Sequence, residues 1–136
     1  MEDFMALIAL RVLTALIGLS LITIGIGWWI QPEQIADILN VSLIFGEDKS
    51  AQIAHSASFF ISSGAIILWG AIVSEEKLLL AGALLIAMVI PGRFFSSLMH
   101  GGVWTPNEVI IETIIVCILL ITAKIVHWRA NQAILD

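Results

Sequence analysis

Two charged residues, Arg93 and Glu112, lie inside stretches of sequence that are otherwise apolar enough to cross a membrane. An ionised side chain in hydrocarbon costs about 3 kcal/mol or more, so such residues are usually paired or functional. A guanidinium can hold a carboxylate through charge-assisted, bidentate hydrogen bonds. Removing one partner of a buried pair strands the other charge, at a cost of roughly 3–5 kcal/mol. If their helices face each other, we expect Arg93 and Glu112 to pair.

Other polar residues fall at a similar depth. Arg93 shares one helix face with the residues at i+3, i+4 and i+7, Glu112 shares a face with the residue at i−4, and a histidine lies in another stretch. The predicted cluster consists of Arg93, Glu112, His55, His100, Ser96, Ser97 and Glu108. Two interpretations are open. The ion pair only fixes helix packing, or Arg93 lines an outward-facing pocket for an anionic or carbonyl-bearing head group that Glu112 and the histidines tune or protonate.

The histidines and glutamates of this cluster are chemically able to bind zinc or non-haem iron. They form no tight local ligand motif, and the paired Glu-x-x-His pattern of di-iron bundles is absent. We therefore predict no metal. The sequence also has no nucleophile elbow, phosphate loop, dinucleotide fingerprint or haem-attachment motif. We expect a protein that is not an enzyme, and the residues identify no cofactor.

The elements that must position these residues are membrane helices. Of 136 residues, 60% are hydrophobic and 12% are charged, whereas soluble domains carry about 25% charge. A bilayer-spanning helix needs about 20 apolar residues, and the chain has four such stretches, at 7–30, 51–73, 78–98 and 109–128. The prediction is an all-α, up-down-up-down four-helix bundle in one transmembrane domain, 1–136. With a net charge of −5 and no basic patch, nucleic acid is not an expected partner.

The distribution of basic and aromatic residues predicts the orientation. With the termini in the cytoplasm, the inner side carries Arg11, Lys77, Lys124 and Arg129, and the outer side carries Lys49 and Arg93. The positive-inside rule favours this arrangement. All tryptophans lie near span ends, where the membrane–water interface favours them.

Two prolines predict local structure. Pro32 suits the first turn of a helix, and the apolar residues after it recur at helical spacing. A short interfacial helix is therefore expected in the first outer loop, after which the apolar segment 41–45 is expected to enter the interface. Pro91 lacks a backbone N–H and clashes with the preceding turn, which predicts a kink beside Arg93.

Small residues predict which helix faces pack. Small side chains four residues apart allow close helix approach in membranes. The rows with this spacing are Ala54, Ser58 and Ser62 in span two, and Ala83 and Ala87 in span three. Arg11, near the inner end of span one, is expected to extend to the lipid head groups or to reach Glu75 or Glu76.

The motif Gly92-Arg93-x-x-Ser96-x-x-x-His100-Gly101, followed by Glu112 in the next span, resembles a bacterial four-span membrane family of unknown function in the DoxX-like superfamily. The segment from Gly27 to Pro32 also resembles that family's end of span one. The chain departs from the family at His100, where the family has an acidic residue, and in span two, where His55 stands near the place of an arginine. The resemblance implies a four-span fold in a bacterial inner membrane. The superfamily includes a subunit linked to quinone-coupled sulfur oxidation as well as assembly or trafficking factors.

Three functional hypotheses follow. The leading one is an accessory subunit or assembly factor of a larger inner-membrane complex, which would bind other membrane subunits or self-associate. The second is a redox-coupled module that binds a quinone, a lipid or another amphiphile at Arg93 and Glu112. The third is a small proton-coupled transporter, although Glu112 lies in span four whereas the small multidrug exporters carry their essential glutamate in span one.

Overall fold

The computed structural model describes residues 2–135, with side chains over 5–132, and within that part the chain is helical and contains no strand. The helices are α1 (Glu2–Ile30), α2 (Pro32–Ile38), α3 (Asp48–Val73), α4 (Glu76–Ala87), α5 (Val89–His100) and α6 (Pro106–Leu135). The described residues form four candidate membrane spans: Met5–Ile30, Asp48–Val73, Glu76–His100 and Pro106–Gln132. This confirms an all-α four-helix membrane bundle. We call the end with both termini the terminal end and the opposite end, with α2 and the segment 101–105, the loop end.

The helices α1 and α3 pack antiparallel with their backbones in close contact. A Cβ placed on Gly18 would lie 2.8 Å from the Gly64 carbonyl oxygen, and one on Gly25 would lie 2.9 Å from that of Ala57. Ala57, Gly64 and Ala71 are buried and recur every seven residues on α3, opposite Gly25, Gly18 and Arg11 on α1. A seven-residue spacing keeps one face of a helix toward its neighbour, so this row of small residues sets the α1–α3 distance.

The packing faces predicted from spacings of four residues are only partly present. On α4, Ala83 is buried as expected. On α3, Ala54, Ser58 and Ser62 are all exposed, so the prediction that they pack within the bundle is wrong. The row of α3 that packs against α1 instead repeats every seven residues, because α1 is antiparallel and close along most of its length.

The third span is interrupted, as expected from Pro91, but the break lies earlier. The helix α4 ends at Ala87 and α5 begins at Val89. Proline cannot donate to the carbonyl four residues before it, and its ring clashes with that carbonyl; here that residue is Ala87. The discontinuity therefore falls one turn before Pro91, and α5 contains no buried residue.

The predicted loop helix is present as α2, and it covers Trp28. Trp28 is only 2% exposed and packs with Ala36 of α2 and Ala57 of α3. Trp28 is therefore a packing residue at the end of α1, whereas the other four tryptophans are exposed. The segment 41–45 has no regular secondary structure.

Polar side-chain contacts join neighbouring helices at the terminal end. Arg11 donates from Nε to the Ala71 carbonyl (2.9 Å) and from Nη2 to the Ile72 carbonyl (2.8 Å), so it caps the C-terminus of α3, where a positive charge is favourable. His127 Nδ1 lies 2.6 Å from Glu76 Oε2, which joins α6 to the first turn of α4.

A buried hydroxyl pair joins α1 to α6. Thr122 donates to the Ile118 carbonyl (2.8 Å), and its Oγ1 lies 3.0 Å from Thr14 Oγ1. Because a hydroxyl has one proton, Thr14 is the donor in the contact between helices. Neither side chain is exposed, so the pair fixes the register of the two helices.

Candidate functional site

The structure brings Arg93 and Glu112 together near the loop end. Arg93 Nε and Nη2 approach the same carboxylate oxygen, Glu112 Oε1, at 3.0 and 2.9 Å. The pair joins α5 to α6, whose other contacts are few because α5 has no buried residue. It is partly buried, with the Arg93 side chain 32% exposed and that of Glu112 15% exposed.

A third residue, Thr105, completes the hydrogen bonding of the guanidinium. Arg93 Nη1 donates to Thr105 Oγ1 at 3.1 Å. Thr105 precedes Pro106, the first residue of α6, so the connection between α5 and α6 closes over the arginine. Hydrogen bonds from Nε and Nη1 use two of the five N–H donors of an arginine, and Nη2 forms the ion-pair contact with Glu112.

The turn after α5 shapes this connection. Gly101 ends α5 with φ +68°, a left-handed conformation that favours glycine. The Gly102 N–H then donates to the Ser96 carbonyl at 3.0 Å. A Cβ on Gly102 would overlap Ser96 Oγ, so the paired glycines let residues 101–105 fold back against α5.

Between this returning segment and α5 lies an open groove of about 400 Å³. Arg93 and Ser96 supply polar groups from α5, and Thr105 supplies one from the connection. The complete lining is Val89, Gly92, Arg93, Ser96, Gly102, Val103 and Thr105. Gly92 has open space where a side chain would be, which leaves the guanidinium accessible from the groove.

The second oxygen of Glu112 has a different environment. Glu112 Oε2 is buried and has no hydrogen-bond partner among the described residues. The carboxylate is therefore not held by two parallel bonds, because both guanidinium nitrogens converge on Oε1. Since no other described side chain hydrogen-bonds to Oε2, Arg93 is the cation that offsets the charge of Glu112.

The remaining residues of the predicted cluster do not all join the pair. Ser96 lines the groove, whereas Ser97 on α5 and Glu108 on α6 are half-buried and are not part of its lining. His100 is exposed at the end of α5, and His55 is exposed on α3. The described residues contain no group of three or more His, Cys, Asp or Glu side chains placed to hold a metal.

Sequence reasoning missed Thr105 and the Glu76–His127 contact. Thr105 lies in a connection rather than in a span, so no helical spacing relates it to Arg93. Glu76 and His127 are 51 positions apart. The available signal was that Glu76 begins its span and His127 lies near the end of an antiparallel span, which places both at the terminal end.

A second groove, of about 530 Å³, lies on the loop end beside α2. Its lining includes Glu33, Asp37 and Phe45. Lys49 Nζ donates to Glu33 Oε1 at 2.8 Å, and this hydrogen bond lowers the pKa of Glu33 below its usual 4.5. Lys49 therefore partly balances the negative charge of this acidic lining.

No family model, curated protein or solved structure that was compared with the chain matches it.

Proposed function

We propose that this multi-pass membrane protein binds an amphiphile, such as a quinone or a lipid, with the head group in the groove beside Arg93. One observation carries the proposal: a half-buried guanidinium lines an open groove at the end of a membrane span and has N–H donors beyond those that hydrogen-bond to Glu112 and Thr105. An ionisable residue at such a depth is a functional candidate by default.

The position of the groove suits an amphiphile. Trp104, in the returning segment, is 47% exposed and packs edge-on against Phe94, with ring centroids 6.3 Å apart. Tryptophans of this kind favour the membrane–water interface. A head group in the groove would lie near that interface while its tail contacts the exposed apolar side chains of α5.

The test is retention of a co-purified or added amphiphile. The protein would be purified in an alkyl maltoside and examined by native mass spectrometry beside the double variant Arg93→Ala/Glu112→Ala, which removes both charges together. Lys124→Gln, which removes an exposed positive charge near the terminal end, is the control. We expect the double variant to lose the ligand and the control to keep it. Equal retention by all three proteins would exclude the proposal.

A second function, an accessory subunit or assembly factor of an inner-membrane complex, is favoured by the outward face of α3. Ala51, Ser58 and Ala65 are exposed and recur every seven residues, the same spacing as the buried row that packs α3 against α1. Small residues drive helix association in lipid. The resemblance to the DoxX-like superfamily supports both functions, since that superfamily includes a quinone-linked subunit and assembly factors, and it supports a bacterial inner membrane. The distribution of Lys and Arg supports cytoplasmic termini.

Matched substitutions test the second function. Ser62 and Ser20 are both exposed, and each donates to the carbonyl four residues before it. We expect Ser62→Leu to reduce the mass of the native complex isolated from membranes in mild detergent, whereas Ser20→Leu on α1 leaves it unchanged. A wild-type protein that always purifies alone from its own membranes would refute this function.

A further inference from the structure

We propose that the groove beside Arg93 selects an amphiphile whose head group is uncharged and accepts hydrogen bonds, as an ester or ketone carbonyl does, over one whose head group is anionic. The inference rests on the proposed amphiphile binding and names the chemical class of the ligand. It follows from the charges and the donors around the guanidinium.

The positive charge of Arg93 is already compensated. Its Nε and Nη2 both lie within 3.0 Å of Glu112 Oε1. Because Glu112 Oε2 is buried without a described partner, no second side chain shares that negative charge. An anion bound to the guanidinium would lie a few ångströms from a carboxylate whose side chain is only 15% exposed, and water screens such partly buried charges poorly.

A second carboxylate adds to this effect. Glu108 lies one helical turn from Glu112 on the same face of α6, and residues with that spacing have Cβ atoms about 5–6 Å apart. Glu108 is half-buried, and His100 at the end of α5 is exposed. Two carboxylates, of which only Glu112 contacts Arg93, therefore lie on this face of α6, and their negative charge repels a phosphate or carboxylate head group.

The groove nevertheless offers hydrogen-bond donors. Of the five N–H donors of Arg93, only those on Nε and Nη1 hydrogen-bond to Glu112 and Thr105. The Ser96 hydroxyl also lines the groove. Because Glu112 already compensates the positive charge of Arg93, these donors suit a carbonyl oxygen. A carbonyl accepts hydrogen bonds without placing a second negative charge next to Glu112.

Two lipids with identical tails separate the classes. Dioleoylglycerol carries ester carbonyls and no charge, and dioleoylphosphatidate adds one phosphate. Each would be titrated into the wild-type protein in an alkyl maltoside, which contains no ester, and binding would be followed by native mass spectrometry. We expect an apparent Kd for dioleoylglycerol about tenfold lower, a difference of about 1.4 kcal/mol.

The variant Glu112→Gln keeps the shape of the side chain but removes the charge beside Arg93. We expect its preference to reverse, so that dioleoylphosphatidate binds more tightly than dioleoylglycerol. Glu47→Gln makes the same chemical change at an exposed position before α3 and should leave the wild-type preference intact. Glu108→Gln, which removes the charge that does not contact Arg93, should shift the preference part of the way and provides a second test if Glu112→Gln does not fold.

The outcomes distinguish this inference from the function on which it rests. If wild-type protein prefers dioleoylphosphatidate, and Arg93→Ala/Glu112→Ala abolishes that binding, the groove binds amphiphiles but the inferred class is wrong. If both lipids bind the double variant as well as wild type, or if neither lipid binds and both proteins retain co-purified amphiphiles equally, the proposed function fails with it. If neither lipid binds but only the double variant loses a co-purified amphiphile, the function stands and the inferred class is wrong.

Discussion

Replacing Arg93 or Glu112 alone should lower the free energy of unfolding substantially, because each single change leaves a partly buried charge without its partner. Breaking a fully buried pair costs roughly 3–5 kcal/mol, and breaking an exposed pair costs about 0–1 kcal/mol. With side chains 32% and 15% exposed, this pair lies between those limits. We expect about 2 kcal/mol for each single glutamine substitution.

The double variant Arg93→Gln/Glu112→Gln removes both charges and leaves two amides that can hydrogen-bond to each other. We expect it to lose no more than about 2 kcal/mol, so the coupling energy of the cycle is about 2 kcal/mol, within the range for residues in contact. The two singles should also differ. A stranded carboxylate can take up a proton, whereas a guanidinium stays charged, so Glu112→Gln should cost more than Arg93→Gln.

Unfolding would be followed by the fluorescence of the five tryptophans during titration of mixed micelles with sodium dodecyl sulfate. Thr105→Val is the control, since it removes one hydrogen bond to Arg93 without stranding a charge and should cost about 1 kcal/mol. If the two single losses add in the double variant within about 0.5 kcal/mol, the pair is not coupled and the reasoning is wrong.

Three further predictions concern the rest of the bundle. Gly64→Ala should lower the midpoint of the same unfolding titration, because its Cβ would lie 2.6 Å from a backbone oxygen of α1, whereas Gly92→Ala, where nothing lies within 4 Å, should not; equal effects would contradict the packing. Thr122→Val should cost about 0.6 kcal/mol, the average for a hydrogen bond between membrane helices, and an unchanged midpoint would refute a role for the hydroxyl pair. Lys49→Met should raise the pKa of Glu33 toward 4.5, as measured by carbon-13 NMR. Because Lys49 lowers this pKa in the folded state, the ion pair stabilises the folded protein at pH values above the ordinary pKa of Glu33. This contribution is lost as the pH falls through the lowered pKa. A Glu33 titration that is the same in both proteins would contradict this.

The helices themselves could be predicted from the sequence because the bilayer imposes one strong requirement. A spanning segment must satisfy its backbone hydrogen bonds internally and be about 20 residues long. The four spans, α2 after Pro32 and the interruption before Pro91 all follow from such local rules. The position of the break at Met88 also follows, because Pro91 cannot donate a hydrogen bond to the carbonyl of Ala87.

Which faces meet could not be predicted in the same way. Rows of small residues occur on two sides of α3, and the sequence does not rank them. The structure uses Ala57, Gly64 and Ala71 against α1 and leaves Ser58 and Ser62 exposed. The choice depends on the side chains of α1, where glycines at 18 and 25 provide the complementary surface.

The sequence by itself determined that Arg93 and Glu112 lie within membrane spans, because the cost of a charge in hydrocarbon depends on position along one segment. Only the tertiary structure decided what surrounds them: Thr105 closes over the guanidinium, Glu112 Oε2 stays unpartnered among the described residues, and His55 remains on the outside of α3. The physical reason is that hydrogen bonds and Coulomb interactions act over a few ångströms, and those distances are set by how helices rotate and approach, which depends on every packed side chain between them.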